Sequence, residues 1–242
     1  MRSRSAWRSK TRVAAAATHG DDEDGGQVKV TGPEALERLR EGNRRFAAGT
    51  PGPVRLSSLA RREALVTGQE PLAIVLGCSD SRVPAEIVFD QGVGDLFVIR
   101  VAGNIVAPSQ VGSVEFAAER FGTRLVVVLG HSQCGAILAT LDVLRGPGNM
   151  QSRNLRSIVD RIRPSIEGLW AGDSGKDPEA LMHEAVRAHV RVAVNHLRHG
   201  SELLESLIEQ DGLLVVGAEY SLESGVVDVF EGVPASQVDS GV

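Results

Sequence analysis

The two cysteines of the chain lie in matching positions, each at the end of an apolar segment that closes with glycine. Cys78 follows Gly77, and Cys134 lies three residues after His131, which itself follows Gly130. Thiolate and imidazole are ligands that zinc prefers, and three of them with one open position is the arrangement of a catalytic zinc site. The alternative is that both cysteines are small core residues, and these two motifs alone do not decide between the interpretations. A dithiol redox pair is disfavoured because the chain has no Cys-x-x-Cys loop.

Asp80 and Arg82 follow the first cysteine closely. Asp80 could take the fourth position on a metal. Alternatively, Arg82 could hold that carboxylate in a two-pronged hydrogen bond and leave the fourth position to water. A plain ion pair that shapes the loop is the third interpretation, and the spacing of the two residues fits all three.

Short apolar runs that lack polar alternation predict the elements that carry these residues. Such runs are typical of parallel strands buried on both faces. They lie at 72–76, 96–101, 125–129 and 213–216, with a further strand at 226–230 that we expect at an edge. Helical patterns lie from Pro33 towards Gly49 and at 57–66, 109–121, 134–144, 154–168 and 178–210. The alternation predicts an α/β fold with a mostly parallel central sheet of four to five strands flanked by helices. Ligands bind outside the carboxyl ends of such strands, where both cysteine motifs lie.

The chain of 242 residues is long enough for one large domain. We place it at 28–242, preceded by an extension at 1–27 that is either disordered or a targeting segment. The basic start of the extension is not followed by an apolar run, so it is a poor secretory signal. Two cysteines in so long a chain fit a reducing compartment. We expect a cytoplasmic protein, or an organelle-targeted one if residues 1–26 are a transit peptide.

Charge and hydropathy exclude two classes of partner. The net charge is −5, and the first 26 residues carry +1, which leaves −6 for the remainder. A body this acidic has no electrostatic footprint for nucleic acid. The longest apolar runs are about as long as a strand, far short of the roughly 20 residues that cross a bilayer. We therefore expect a soluble protein without nucleic-acid or membrane partners.

Taken together, the motifs resemble those of the β-class carbonic anhydrases. Residues 78–82 read Cys-Ser-Asp-Ser-Arg and residues 130–135 read Gly-His-Ser-Gln-Cys-Gly. The resemblance continues through the segments 82–86, 94–100, 102–104 and 217–220 in the same order, and spans about residues 30 to 230. It implies a lyase that hydrates carbon dioxide reversibly to bicarbonate and a proton, by hydroxide on zinc. It also implies one Zn²⁺ per chain, held by Cys78, His131 and Cys134.

The resemblance extends to the residues around the metal. Asp80 and Arg82 would form a catalytic pair that gates the metal, with Asp80 as an exchangeable fourth ligand. Four residues would contact substrate: Gln69, Phe97, Phe116 and Gly135. Phe116 stands where many members have tyrosine, so a hydroxyl is lacking there. The family pocket lies between subunits, which implies a dimer or tetramer, with N-terminal helices packed on a partner subunit.

Some members bind bicarbonate at a second, inhibitory site that uses Trp, Arg and Tyr. Arg100 and Tyr220 match two of these positions, but Val75 replaces the Trp. We therefore predict that this site is absent, and that Asp80 is paired with Arg82.

Three other functions remain to be weighed against this one. A zinc hydrolase of carbonyl sulfide or carbon disulfide would use the same ligands. A catalytically silent bicarbonate-binding module is disfavoured because all five motif residues are present. A dinucleotide-binding domain would have Gly-x-Gly-x-x-Gly after its first strand, and the chain lacks that motif.

Overall fold

The computed structural model describes residues 30–50, 52, 58–146, 152–171 and 177–233. The predicted extension at 1–27 lies outside these residues. The strands of the described part are β1 Ala73–Gly77, β2 Leu96–Arg100, β3 Leu125–His131, β4 Leu214–Tyr220 and β5 Val227–Glu231. The helices of the described part are α1 Gly32–Ala47, α2 Leu59–Ala64, α3 Ala85–Val88, α4 Pro108–Arg120, α5 Gly135–Arg145, α6 Arg153–Ala171, α7 Pro178–His199 and α8 Glu202–Gln210. A single 3₁₀ turn, Ala102–Asn104, follows β2.

The strands form one sheet in the order β2-β1-β3-β4-β5. The first four are parallel, and β5 pairs antiparallel with β4 at the edge. Gly77 at the end of β1 is in register with Leu129, and His131 at the end of β3 is in register with Tyr220. The predicted α/β architecture with a mostly parallel sheet is confirmed, as is the edge position of the last strand. β3 and β4 continue beyond the predicted ends.

The sheet is buried on both faces because successive side chains alternate between two apolar clusters. Val75 and Val127 face α1, whose Leu36 and Leu39 are almost fully buried against them. The alternate side chains of β1 and β3 face the opposite cluster, which is covered by α4, α7 and α8. Uninterrupted apolar strands are therefore what this three-layer arrangement requires.

A third cluster lies beyond the carboxyl ends of β1 and β3. Apolar residues of α5, α6 and α7 surround both cysteines there, including Ile137, Ile162 and Val186. The cysteine motifs are thus held by a packed helical layer, which limits how far their side chains can move.

The predicted helix at 178–210 is wrong as a single element. It is two helices, α7 ending at His199 and α8 beginning at Glu202. Ser201 starts α8, because its hydroxyl oxygen accepts a hydrogen bond from the backbone N–H of Leu204 at 3.2 Å. The same hydroxyl donates to Glu115 of α4 at 2.6 Å, which anchors the break.

The two N-terminal helices differ in how they pack. α1 lies on the sheet of its own chain through Leu36 and Leu39, whereas α2 contains no buried residue. Leu59 and Val66, at its two ends, are exposed apolar side chains. Packing on a partner subunit stays a prediction, and α2 is the helix that presents a surface for it. None of the helices in the described part of the chain has the length and hydropathy to span a membrane.

Candidate metal centre

The carboxyl ends of two neighbouring strands bring three soft ligands together. Cys78 follows β1, His131 is the last residue of β3, and Cys134 is the N-cap residue of α5. Their ligand atoms all lie within 4.8 Å of one another. All three residues are buried, with exposed fractions of 5%, 0% and 1%. The structure thus unites the three residues that the sequence motifs singled out.

A tight turn returns the chain from His131 to Cys134. Gln133 adopts a left-handed conformation with φ of 56°, which is uncommon for a residue with a side chain and is found at functional sites. Ser132 fixes the turn to the end of β4, since its backbone N–H donates to the Tyr220 carbonyl at 2.9 Å. Its hydroxyl oxygen accepts from the backbone N–H of Leu222 at 3.0 Å. The turn is therefore held by backbone groups that sequence alone does not reveal.

The imidazole of His131 is prepared to bind a metal. Its Nδ1 lies 2.9 Å from the carbonyl oxygen of Ser132. A carbonyl only accepts, so Nδ1 bears the proton and Nε2 has the free lone pair. Nε2 is buried and has no hydrogen-bond partner among the described residues. An unpaired buried nitrogen is costly, and a metal ion beside the two thiols would satisfy it. The donor set therefore fits zinc.

The two thiols are coupled. A hydrogen bond from Cys134 lowers the pKa of Cys78, with further contributions from His131 and the backbone N–H of Gly103. The same hydrogen bond and burial raise the pKa of Cys134. Cys78 is thus the thiol that ionises first, and a cation would be needed to bring the second thiol to thiolate at neutral pH.

Asp80 lies at the rim of this cluster and is gripped by Arg82. The Arg82 Nε and Nη2 atoms donate to the two Asp80 carboxylate oxygens at 3.0 and 2.8 Å. The backbone N–H of Arg82 donates to the same carboxylate at 3.0 Å. These bonds hold the pKa of Asp80 well below its usual range. Asp80 Oδ2 lies 4.0 Å from His131 Nε2, so a charged carboxylate faces the metal-binding atoms.

Arg100, at the end of β2, fixes the loop that contains Cys78 and Asp80. Its Nε donates to the Cys78 carbonyl at 3.0 Å and its Nη2 to the Asp80 carbonyl at 2.5 Å. The sequence motifs do not predict this contact of Arg100. A backbone carbonyl has no sequence signature, so only the structure identifies its partner.

The side chains at the positions of the inhibitory site, which we predict to be absent, have other contacts in this chain. Arg100 is bonded to the loop carbonyls. Tyr220 is buried against Phe46, with 6.3 Å between ring centroids. Val75 is fully buried in the sheet. The absence of the site stays a prediction.

The four predicted substrate contacts do not all lie beside the candidate metal ligands of the same chain. Gly135, the first residue of α5, is adjacent to Cys134 and has open space where a side chain would lie. Phe97 of β2 and Phe116 of α4 pack together, with ring centroids 6.3 Å apart. Gln69 is exposed and precedes β1, whereas Cys78 follows the other end of the same strand. A contact between Gln69 and substrate stays a prediction.

Comparison with known proteins identifies the family. The family model for carbonic anhydrase matches residues 73–227, which include all three candidate metal ligands. A carbonic anhydrase of Mycolicibacterium smegmatis is 41% identical over 81% of this chain and 91% of its own length. The chain belongs to the β-class carbonic anhydrase family. It is therefore an enzyme of the carbonic anhydrase type, as the motifs predicted.

Solved structures agree with this assignment at the level of the fold. The β-carbonic anhydrase CafA of Aspergillus fumigatus has a TM-score of 0.65 at 23% identity, covering 85% of this chain and 93% of that one. A tetrameric β-carbonic anhydrase of Sordaria macrospora has a TM-score of 0.64 at 22% identity, covering 81% of this chain and 94% of that one. At these identities the likeness shows the fold alone.

Proposed function

We propose that this carbonic anhydrase hydrates carbon dioxide reversibly to bicarbonate and a proton, with one zinc ion per chain held by Cys78, His131 and Cys134. The observation that supports the metal most directly is the buried and unpartnered Nε2 of His131 beside two thiols. Zinc bound there would act as a Lewis acid and lower the pKa of its water to about 7, which would make a nucleophile available near neutral pH.

Asp80 would orient the attacking water rather than remove its proton. Its carboxylate is charged, because Arg82 holds the pKa of Asp80 well below its usual range. A carboxylate of such low basicity is a poor general base at neutral pH, but it accepts hydrogen bonds strongly. Asp80 Oδ2 is 4.0 Å from His131 Nε2. This acceptor atom would therefore lie beside water bound at the metal. The released proton would therefore leave through solvent or buffer.

Arg82 and Arg100 would keep this acceptor in place. Arg82 holds the Asp80 side chain by both oxygens, and Arg100 holds the backbone at Cys78 and Asp80. Preorganised groups of this kind contribute to catalysis because they need no reorganisation during the reaction. If the Asp80–Arg82 pair broke at low pH, Asp80 could occupy the fourth position on the metal and stop turnover.

We further propose that the functional form is a dimer or tetramer in which Gln69 and Phe116 serve the site of a neighbouring subunit. The support is that Gln69 lies at the far edge of the sheet in its own chain, and that Phe116 is 53% exposed on α4. A relative with the same fold is described as tetrameric. Gln69 would donate a hydrogen bond to bicarbonate, and Phe97 with Phe116 would form an apolar wall.

Stopped-flow measurement of carbon dioxide hydration at mildly alkaline pH, with zinc determined in the same batch, tests the proposal. Rapid hydration with about one zinc per chain is the expected result. A Cys134→Ser variant is the matched control, and should lose both zinc and hydration. Zinc without hydration would contradict the proposed reaction and direct the search to carbonyl sulfide or carbon disulfide as substrate.

A further inference from the structure

A backbone N–H lies against the sulfur of one candidate zinc ligand. Gly103, in the 3₁₀ turn after β2, points its N–H at Cys78 Sγ with a nitrogen to sulfur distance of 3.3 Å. Its φ of 68° is in the left-handed region. A Cβ at this position would lie 2.8 Å from Ile162 Cδ1 and 2.9 Å from Ala136 Cβ. Glycine is thus required both by the conformation and by the space that remains.

The other side of Gly103 is held by a buried histidine of α7. His189 is 3% exposed, and its Nε2 lies 2.9 Å from the Gly103 carbonyl oxygen. That oxygen only accepts, so Nε2 has the proton and donates it. Burial lowers the pKa of His189 to about 4, so the ring is neutral at physiological pH. A neutral ring with its proton on Nε2 has a lone pair at Nδ1.

Ser165 of α6 lies on the other side of the ring. Its hydroxyl oxygen is 3.1 Å from His189 Nδ1, but its one proton is donated to the carbonyl oxygen of Ile162 at 2.5 Å. The tautomer of His189 therefore follows from the Gly103 carbonyl, which only accepts. Side chains of α6 and α7, Ile162 and His189, thus both lie against Gly103 beside Cys78.

We propose that His189 is a positioning residue of the metal centre: it holds Gly103 so that the Gly103 N–H donates to the sulfur of Cys78. This inference rests on the proposed function in one respect, since it takes Cys78 as a zinc ligand. A hydrogen bond to a thiolate withdraws charge from sulfur, so the thiolate donates less to the metal and the metal stays a stronger Lewis acid. Groups behind the ligands are known to tune metal sites in this way. Two thiolates would neutralise a dication, whereas neutral imidazoles would not. Withdrawal of charge from sulfur therefore matters more at this site than it would at an all-imidazole site.

Cobalt(II) replacing zinc reports on the sulfur directly, through the thiolate-to-cobalt charge-transfer band in the near ultraviolet. His189→Leu removes the donor to Gly103, so the Cys78 thiolate should become more electron-rich and the band should move to longer wavelength. Because Gly103 and Cys78 would no longer be held in position, zinc affinity, measured by competition with a chelator, should nevertheless fall about tenfold. His189→Gln keeps an amide N–H near the position of Nε2 and should restore most of both properties.

Two further variants separate positioning from general loosening of α7. Val194→Ala truncates a buried side chain one turn away from Val190, facing the sheet rather than Gly103, and should leave the band unchanged. His189→Asn keeps a polar side chain but is too short to reach the Gly103 carbonyl. It should shift the band in the same direction as His189→Leu, and it tests the idea even if His189→Leu fails to fold.

The outcomes are distinct. A folded His189→Leu protein with the wild-type band and wild-type zinc affinity would overturn the inference while leaving the zinc function intact. Equal shifts in His189→Leu and Val194→Ala would also overturn it, because loosened packing would then suffice. A wild-type protein without any thiolate-to-cobalt band would instead refute the proposed metal centre, and the inference with it.

Discussion

Within the described part of the chain, the guanidinium of Arg82 bonds to Asp80, and its side chain is half-exposed. Exposed ion pairs contribute little to stability. The value of this pair therefore lies in the direction and charge that it gives to the Asp80 carboxylate beside His131. Mutation of Arg82 should therefore lower activity without lowering the stability of the fold.

Arg82→Ala should lower the hydration rate on the order of 100-fold while zinc content and thermal stability stay near those of the wild type. Asp80 would be free to turn towards the metal and block it. Stopped-flow hydration and metal analysis on the same sample measure both quantities. Arg82→Lys retains the charge but cannot make the two-pronged bond. Its hydration rate should lie between those of the wild type and Arg82→Ala. An active Arg82→Ala enzyme would remove Arg82 from the mechanism.

His189 predicts a pH dependence of stability. The unfolded ring has a pKa of about 6.5, and burial lowers the pKa of the folded ring to about 4. Between these values the unfolded chain binds a proton that the folded chain does not. Stability should therefore fall as pH falls through this window, by about 3 kcal/mol in total from this group.

Urea unfolding of wild type and His189→Gln at several pH values between about 7.5 and 4 tests this. Proton uptake by the metal ligands is common to both proteins and cancels in the difference. The stability gap between them should change with pH in favour of the variant as the solution becomes more acidic. A gap that is independent of pH would show that His189 keeps its ordinary pKa.

At this scale, residue type was informative for ligands and uninformative for their supports. Cys78, His131 and Cys134 could be predicted because zinc restricts its ligands chemically and parallel strands end at one edge. Arg100 and His189 act through backbone carbonyls. Every residue has such a carbonyl, so no pattern in the sequence identifies which one is used.

Among the elements, α1 approaches its neighbour most closely at Gly42. A Cβ there would lie 1.8 Å from the Phe89 carbonyl oxygen, at the end of α3. The obstacle is backbone, so it cannot move aside as a flexible side chain would. The glycine is therefore the point at which α1 packs against the chain following the metal loop.

Gly42→Ala should lower the free energy of unfolding by about 2–3 kcal/mol. Gly168→Ala is the matched control, since Gly168 also lies within a helix but has nothing within 4 Å of the added carbon. There alanine should stabilise by about 0.5–1 kcal/mol through helix propensity. Chemical denaturation of both variants measures the contrast. Equal effects would mean that the close approach of α1 is relieved at little cost.

The elements also show why strands were easier to predict than helix boundaries. Strands buried on both faces consist of uninterrupted apolar residues, as in β1 and β3. The apolar pattern of α7 resumes in α8 after Gly200, so periodicity joined them, although Ser201 caps a new helix by bonding Leu204. α3 has only four residues, too few for a helical period to be recognised.

For the molecule as a whole, one chain brings the three candidate metal ligands together but places Gln69 apart from them. The candidate ligands and Asp80 lie at the carboxyl ends of the strands, whereas Gln69 lies before β1, at the amino ends. The fold could be predicted because it is determined within the chain. The pocket could not be built from one chain, because its proposed remaining wall belongs to a neighbouring subunit.

Subunit hybrids make that division testable. If Gln69 serves the neighbouring site, Gln69→Ala damages the partner's pocket, while Arg82→Ala damages the pocket of its own chain. In a symmetric dimer containing one subunit of each kind, one site receives both changes and the other receives neither. Co-expression of the two impaired variants should therefore restore about a quarter of the wild-type activity, since about half of the dimers are hybrids with one intact site each.

Each variant purified alone is the control, and a tagged subunit allows the hybrid to be isolated and its sites counted by zinc analysis. The isolated hybrid should then approach half of the wild-type activity per zinc, because one of its two sites is intact. If Gln69 acted within its own chain, each subunit of the hybrid would be damaged by its own substitution. Activity would then be no higher than the mean of the two variants, and the exposed position of Gln69 would need another explanation. The hybrid experiment thus distinguishes a pocket shared between subunits from a merely oligomeric enzyme, which a molecular mass measurement does not.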